Sequence, residues 1–348
     1  MRKEEGSMAI KGIQAANLDA WFEQNVEGAK PPLKFDPITG GHSNLTFRVT
    51  DQEERSYVLR RPPTGAVIAT AHDMARENRI ISALAPTDVP VPPTLGLCQD
   101  DAVNDAPFYV MDFVEGHVLV DPKTTAELFD SAKRSELGAE VVGVLARLHA
   151  VDPDAVGLGK LGRKENYLAR QLKRWRTQWE KTQTRDLPTM EEVYQGLIAD
   201  MPEQVGASIV HGDYRLGNML VTRDARIAAV LDWELCTLGD PLADLGYVVN
   251  NWAQPGEVIA QGAASSPTTA GGFQTREEFV ELYANLTGRD TSKINYYRAF
   301  QYWRMAAIVE GVLSRYLKGV MGADADTDAF RAQVDGLAAS ARNLMVNL

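Results

Sequence analysis

The chain has 348 residues, of which 45% are apolar and 24% charged, and its net charge is −11 at pH 7. These proportions exclude a disordered chain, and the length predicts two domains or one bilobal unit. The acidic balance argues against nucleic acid or an anionic membrane as the main partner.

Cys98 and Cys236 are the only cysteines. Two isolated cysteines argue against a disulfide framework or a zinc site and favour a reducing compartment. The first residues lack the apolar run of a secretory signal, and no window reaches the ~18 apolar residues of a membrane span. We therefore expect a cytoplasmic protein that does not bind membranes.

The first third of the chain is rich in predicted strands. A short amphipathic helix is predicted over 17–26, with Asn17 as its N-cap. Short β-rich runs separated by turn residues then predict an antiparallel meander. These runs are 33–39, 45–51 and 56–61. A helix is predicted over 72–84 and a further strand over 108–111.

Beyond residue 116 the pattern changes to long helices. The predicted helices cover about 124–150, 164–183, 275–287, 292–318 and 326–345. A loop-and-strand segment at 207–232 interrupts them, and 253–273, rich in small and turn-forming residues, is predicted to be a mobile loop.

This order of elements predicts an α+β fold with two lobes. A small antiparallel β lobe is expected over 1–111 and a hinge over 112–116. A larger, mainly helical lobe is expected over 117–348.

One loop carries the most informative polar residues. In His211-Gly212-Asp213 the Asp follows an apolar strand, and Asn218 lies five residues further on. A later apolar run leads to Asp232, nineteen residues after Asp213, and to Glu234. Phosphoryl transfer needs a carboxylate facing the acceptor hydroxyl and oxygen ligands for a divalent metal. This set of residues therefore predicts a phosphotransferase site.

These residues resemble the HGDxxxxN and Asp-x-Asp/Glu signatures of the aminoglycoside phosphotransferase and choline kinase superfamily, whose fold is similar to that of protein kinases. The resemblance implies transfer of the γ-phosphoryl group of ATP or GTP, with Mg²⁺, to a small-molecule hydroxyl. It implies that Asp213 orients this hydroxyl and accepts its proton. Asn218 and Asp232 would ligate Mg²⁺, and Glu234 would support a second metal.

A glycine-containing turn in the first lobe is a candidate phosphate-binding loop. Small residues between two strands let backbone N–H groups approach phosphate oxygens closely. The candidate nucleotide-binding residues of this turn are Gly40, Gly41, His42, Ser43 and Asn44.

Arg60 is the candidate cation of the same lobe. Strand alternation places Val58 and Arg60 on one face, the same relation as in the kinase strand motif Val-Ala-Ile-Lys. The resemblance therefore implies that Arg60 contacts the α- and β-phosphates, although many relatives have Lys there and the two are not interchangeable. Glu77, on the next helix, is predicted to pair with Arg60. Arg61 is predicted to lie on the opposite face, at the surface.

The remaining candidates are assigned by position. Met111, Asp112 and Phe113, around the predicted hinge, are expected to offer backbone groups to an adenine edge. Asp240 and Asp244 follow the metal motif and are predicted to brace the loop that carries Asp213, rather than to bind metal.

A basic segment bears on the acceptor. Residues 160–186 contain nine Lys or Arg against three Asp or Glu, and Trp175 and Trp179 share a helix face. A basic helix with aromatic residues suits an anionic acceptor such as a coenzyme A thioester and would repel a polycationic aminoglycoside. Arg170, Arg174 and Trp175 are the candidate acceptor-binding residues. The alternative is a solvated basic face with both tryptophans in the core.

Over nearly the whole chain, runs such as GGHSNLTF, YVLRRPP and LDWELCTLGDPLADLGY resemble one branch of the superfamily. This branch is similar to the N-terminal domains of certain acyl-CoA dehydrogenases and includes kinases of 4-hydroxyacyl-CoA. A hydroxyacyl-CoA kinase is therefore the leading hypothesis. An antibiotic kinase would need an acidic acceptor groove, but 275–348 carries equal numbers of acidic and basic residues. A nucleotide-binding pseudokinase serving as an interaction module is a third hypothesis, supported by Arg60 alone.

Overall fold

The computed structural model describes residues 10–38, 44–64, 72–257, 266–320 and 326–346. The chain divides into two compact units. Unit 1 comprises the residues up to Glu115 together with Ala229–Glu234, and unit 2 comprises Gly116–Ala228 and the residues from Leu235 onward. The predicted α+β class, with a small antiparallel sheet followed by a larger helical part, is confirmed. The lobe boundaries stay a prediction, and they did not anticipate that 229–234 belongs to unit 1.

Unit 1 is built on a five-stranded antiparallel sheet. Its elements are α1 (Ala15–Asn25), β1 (Lys34–Pro37), β2 (Leu45–Thr50), β3 (Ser56–Arg61), α2 (Met74–Leu84), β4 (Thr94–Cys98), α3 (Asp101–Asn104) and β5 (Phe108–Asp112). The strand order is β1-β2-β3-β5-β4. Tyr57 and Leu59 of the central strand pack with Phe22 of α1 in one hydrophobic core. Because side chains alternate along a strand, Arg60 points to the other face of the sheet.

Two predictions for unit 1 are wrong in detail. The helix α1 begins at Ala15 rather than after Asn17, whose side chain instead donates to the carbonyl oxygen of Ala102. Arg61 faces away from Arg60 as expected, but it is buried rather than at the surface. Its Nη1 donates to the carbonyl oxygens of Gly12 and Asn104 at 2.5 and 2.9 Å, because the chain at these residues covers that face.

Unit 2 is mainly helical. Its helices are α4 (Pro122–Leu128), α5 (Ser131–Ala150), α6 (Tyr167–Thr182), α7 (Pro188–Ala199), α8 (Leu242–Asn251), α9 (Arg276–Thr287), α10 (Ile294–Leu317) and α11 (Thr327–Met345). The short strands are β6 (Ser208–Val210), β7 (Met219–Val221), β8 (Ile227–Val230) and β9 (Thr237–Gly239). β6 pairs with β9. β8 pairs with β7 and carries the chain from unit 2 into unit 1, which begins at Ala229 within this strand. In the part of the chain that the structure describes, no helix is long and apolar enough to cross a membrane.

The predicted helix over 124–150 is two helices. The backbone of Phe129 is extended, and the Asp130 side chain caps α5 by accepting from the backbone N–H of Lys133 at 2.8 Å. An Asp before a helix is a common start signal that the apolar pattern alone does not reveal. The sequence analysis also missed α7 and did not delimit α8.

The predicted loop over 253–273 is described only in part, because 258–265 lies outside the described residues. Pro267–Ala270 forms a short 3₁₀ helix. Ser266 and Thr268 are buried, and their hydroxyls donate to the carbonyl oxygens of Asn251 and Ala253, each at 2.8 Å. Hydrogen bonds thus tie this end of the loop to the end of α8.

Two glycines of α5 should respond oppositely to substitution. A Cβ at Gly138 would overlap the side-chain amide of Gln274 and come within 3.3 Å of Trp252, whereas at Gly143 it would meet only the end of Arg147, at 3.5 Å. Overpacking costs about 1–3 kcal/mol, and replacing a helical glycine by alanine gains up to about 1 kcal/mol. We expect Gly138→Ala to lower, and Gly143→Ala to raise, the free energy of unfolding in urea. A stabilised Gly138→Ala variant would show that Gln274 moves aside at no cost.

Candidate active site

Arg60 is the centre of an ion-pair network in unit 1. Its Nε lies 3.0 Å from Glu77 Oε2, and its Nη2 lies 2.5 Å from Asp232 Oδ1. Its side chain is only 14% exposed. Burial acts to lower the pKa of Arg60, but the charges of Glu77, Asp232 and Glu234 raise it above its ordinary value. The guanidinium therefore stays charged inside the unit.

Glu77 is fixed by neutral donors as well as by Arg60. The hydroxyl of Tyr109 donates to Oε2 at 3.1 Å, and Asn44 Nδ2 donates to Oε1 at 3.2 Å. Burial raises the pKa of Glu77, and Arg60 opposes this effect. Glu77 lies on the buried face of α2 with Met74 and Ile81, so it is not an exposed helix charge.

The acidic residues 232 and 234 are anchored within unit 1. Asp232 has a φ of 66°, a conformation uncommon for residues other than glycine. Arg76 Nη1 donates to the carbonyl oxygen of Glu234 at 3.1 Å, and Asn44 Nδ2 lies 3.4 Å from Glu234 Oε2. Of the five candidate residues of the predicted phosphate-binding turn, only Asn44 lies within the described residues. The other four, Gly40, Gly41, His42 and Ser43, lie outside the described residues.

The predicted hinge residues end the central part of the sheet. Met111 is buried in β5, and the backbone N–H of Asp112 donates to Pro93 at 2.9 Å. The Arg48 guanidinium lies over the Phe113 ring, 4.5 Å from its centroid. Because β5 ends at Asp112, Phe113 is the first residue beyond the strand, and its backbone N–H and C=O lie outside the sheet pairing.

In unit 2, three donors hold the carboxylate of Asp213. Oδ1 accepts from the Tyr247 hydroxyl at 2.5 Å and from Arg215 Nε at 3.2 Å, and Oδ2 accepts from Asn218 Nδ2 at 2.7 Å. Burial and the charge of Asp213 raise the pKa of Tyr247, so the phenol keeps its proton and donates. The sequence analysis missed Arg215, which belongs to the quoted motif, and Tyr247, for which the spacing offered no signal.

The amide of Asn218 has a defined orientation. Its Nδ2 also donates to the backbone oxygen of Asp213, at 2.9 Å. Since both hydrogen bonds from this nitrogen go to Asp213, the amide oxygen of Asn218 faces away from Asp213. A carbonyl oxygen in this orientation is suited to bind a hard cation.

Asp244 fixes the backbone of the loop at residues 211–218, which we name the HGD loop. Its carboxylate is fully buried and accepts from the backbone N–H groups of His211 and Gly212 at 2.6 and 2.8 Å. Burial acts to raise the pKa of Asp244, but His149, His211 and the Gly212 amide hold it below its ordinary value. Asp240 does not contact the loop in this way, because its carboxylate accepts from the Tyr297 hydroxyl at 2.7 Å and from the backbone of Leu242.

The candidate acceptor residues lie on α6. The ring of Trp175 contacts two guanidinium groups, those of Arg174 at 5.2 Å and Arg304 at 5.5 Å from its centroid. Arg170 Nη2 donates to the carbonyl oxygen of Arg163 at 2.6 Å. Trp179, in contrast, is buried, so the core interpretation applies to Trp179 and not to the half-buried Trp175. Arg304, on α10, was missed by the sequence analysis.

Comparison with known proteins identifies the family. The sequence profile described as "Phosphotransferase enzyme family" matches residues 34–279. The chain belongs to this family of phosphotransferases. A structure from Ralstonia eutropha JMP134, provisionally described as an aminoglycoside phosphotransferase, is 34% identical, with a TM-score of 0.79. The match covers 94% of this chain and 98% of that one.

Two further comparisons are informative. Acyl-CoA dehydrogenase family member 10 of Mus musculus is 36% identical over 291 residues, which cover 83% of this chain and 27% of the mouse protein. The chain thus spans about a quarter of that relative's length. The GDP complex of aminoglycoside 2′-phosphotransferase-IIIa is 14% identical, with a TM-score of 0.61 and coverage of 95% and 99%. At 14% sequence identity, this match shows that the two proteins share a fold.

The donors present fit a magnesium ion, which phosphotransferase chemistry implies. In unit 1, Asp232 offers a hard carboxylate oxygen, although its Oδ1 already accepts from Arg60. In unit 2, Asn218 offers an amide oxygen. Across the described ranges, no three His, Cys, Asp or Glu side chains form a cluster for a metal. In proteins, Mg²⁺ usually keeps several waters and is bound by one or two carboxylates plus substrate phosphates.

His149 should make the stability of the phosphotransferase depend on pH. Burial lowers the pKa of His149 below its usual 6.5, although Asp244 opposes the shift. Below pH 6.5 the unfolded chain therefore binds a proton that the folded chain does not, and stability falls as the pH falls. We expect a slope of up to about 1.4 kcal/mol per pH unit from this residue. Urea denaturation at several pH values should show a flatter profile for His149→Asn. An unchanged slope in this variant would contradict the assignment.

Proposed function

We propose that this protein transfers the γ-phosphoryl group of ATP or GTP, with Mg²⁺, to a hydroxyl of a small molecule. The observation that carries the proposal is the Asp213 carboxylate, held by Tyr247, Arg215 and Asn218. Asp213 orients the acceptor hydroxyl and takes its proton as the new O–P bond forms. The bond between the γ-phosphorus and the bridging oxygen breaks, and the nucleoside diphosphate leaves with that oxygen.

The polar network of unit 1 has the chemistry of a nucleotide site. Arg60 would contact the α- and β-phosphates, and Glu77 would hold the guanidinium in place. Backbone groups around Met111, Asp112 and Phe113 would meet the base. Gly40, Gly41, His42 and Ser43 would contribute backbone N–H groups to the phosphates. The GDP complex of the 14% identical phosphotransferase supports a nucleotide as the donor.

We assign the metal to oxygen ligands from Asp232 and Asn218, with Glu234 supporting a second ion. When bound, Mg²⁺ would neutralise charge on the nucleotide phosphates. Nucleotide binding is assigned to residues 1–111, the hinge to 112–116, and catalysis and acceptor binding to 117–348. Intact Asp213, Asn218 and Asp232 argue against the pseudokinase alternative.

The acceptor is proposed to be a hydroxyacyl-coenzyme A thioester. Arg170, Arg174 and Trp175 place positive charge and an aromatic ring on α6, which suits an anionic acceptor with a base. The mouse relative is named as an acyl-CoA dehydrogenase, so its own name points to acyl-CoA. The description of the Ralstonia eutropha structure favours a second candidate, an aminoglycoside. The basic α6 opposes that candidate because aminoglycosides are cationic.

The first prediction for this mechanism concerns Asp213 and Tyr247. Asp213→Asn keeps the shape of the side chain but removes the base, so turnover should fall about 100- to 10,000-fold with nucleotide affinity unchanged. Tyr247→Phe removes one hydrogen bond to the carboxylate and should lower kcat about tenfold. Asp232→Ala should instead weaken Mg²⁺-dependent nucleotide binding. Coupled ADP release and calorimetry separate these effects, and undiminished turnover by Asp213→Asn would remove the mechanism.

A second prediction concerns the acceptor. With Mg-ATP, we expect ADP release with 4-hydroxyacyl-CoA thioesters and not with aminoglycosides. Replacing both Arg170 and Arg174 by Glu should raise the KM for the thioester at least about tenfold and leave the KM for ATP unchanged. Arg315→Glu, a charge reversal at an exposed position of α10, is the matched control. Turnover of aminoglycosides alone would establish the second candidate.

A further inference from the structure

Arg304 is a buried cation with neutral partners. Its side chain is buried, and its Nη1 donates to Gln301 Oε1 at 2.9 Å. Its two Nη atoms lie 3.5 and 3.4 Å from the carbonyl oxygen of Gly212, which is long for a hydrogen bond. Its guanidinium group also lies over the Trp175 ring, 5.5 Å from the centroid. Among the described residues, Arg304 forms no ion pair.

The buried carboxylates of unit 2 are engaged elsewhere. Asp244 accepts from the backbone of the HGD loop, and Asp240 accepts from the Tyr297 hydroxyl. Glu310, on the same helix as Arg304, accepts from the backbone N–H and the hydroxyl of Thr184. The positive charge of Arg304 is therefore not balanced by these groups.

Two guanidinium nitrogens of this region are buried without a hydrogen-bond partner in the described chain. They are Arg304 Nε and Arg170 Nη1. Both guanidinium groups influence the Tyr167 hydroxyl. Burial raises the pKa of Tyr167 to about 12, and the positive charges of Arg304 and Arg170 oppose this rise. Buried charged donors without partners are unfavourable, and in native structures such donors are usually satisfied by an ordered water, an ion or a ligand.

We propose that Arg304, together with Arg170, binds a phosphate-type oxyanion beside the HGD loop. Guanidinium groups match phosphate oxygens through pairs of N–H donors, and the pairing would balance the buried charge. Gly212, which Arg304 contacts, directly precedes Asp213. The inference rests on the proposed function and extends it, because the oxyanion lies next to the residues that carry the transfer.

Two sources would present the same chemistry at this site. One is the transferred phosphoryl group, once it is attached to the acceptor. The other is a phosphate that the acceptor already carries. The affinities of the variants for the acceptor and for its phosphorylated product separate the two.

Inorganic phosphate is the probe of the site, measured by calorimetry on the full chain without nucleotide or acceptor. We expect saturable binding by the wild type and a loss of affinity of about tenfold or more in Arg304→Met. Arg315→Met, the same change at an exposed position of α10, should bind phosphate like the wild type. Arg304→Lys, which keeps the charge, and Arg170→Met, which alters a half-buried residue, test the site even if Arg304→Met does not fold.

The outcomes separate this inference from the proposed function, because phosphate binding requires no transfer. Absent binding by the wild type, or equal affinities in the wild type, Arg304→Lys and Arg170→Met, would overturn the site. The acceptor in this comparison is one that the wild type phosphorylates. If a variant binds the phosphorylated product more weakly but binds the acceptor normally, the transferred phosphoryl group is the source. If a variant binds the product and the acceptor equally more weakly, the source is a phosphate that the acceptor already carries. Either result supports the site.

Discussion

The buried carboxylate of Asp244 is the constraint on which the HGD loop depends. It accepts from two consecutive backbone N–H groups, those of His211 and Gly212. Gly212 has a φ of 86°, which glycine adopts readily, and a Cβ there would come within 2.9 Å of Leu235. The loop therefore turns sharply and is held at the turn. Asp213 is the next residue, and its carboxylate accepts hydrogen bonds from the Tyr247 hydroxyl and from Asn218 Nδ2.

The two units stabilise their polar residues differently. In unit 1, Arg60 is matched by Glu77 and Asp232, so a buried charge is balanced within the protein. In unit 2, Arg304 has neutral partners. Removing a charge from water is costly unless another charge compensates it. For Arg304, the compensating charge is proposed to come from a bound oxyanion.

Much of the fold followed from local patterns. Alternation placed Arg60 and Arg61 on opposite faces of β3, and the change from short strands to long helices indicated the α+β class. The placement of β3 in the middle of the sheet, which leaves Arg61 buried and the Arg60 side chain only 14% exposed, depends on strands far apart in sequence. The chain from 124 to 150 was wrongly taken as one helix, since the apolar pattern continues across the cap at Asp130.

The sequence by itself determined the family and indicated the residues proposed for the site, because Asp213, Asn218 and Asp232 lie within short segments where a motif is visible. The tertiary structure alone decided their neighbours. Tyr247 reaches Asp213 from α8, Arg304 reaches Gly212 from α10, and Asp232 joins unit 1 although most of its flanking chain belongs to unit 2. Such contacts arise from the packing of elements distant in sequence, and no local pattern of charge or hydrophobicity encodes them.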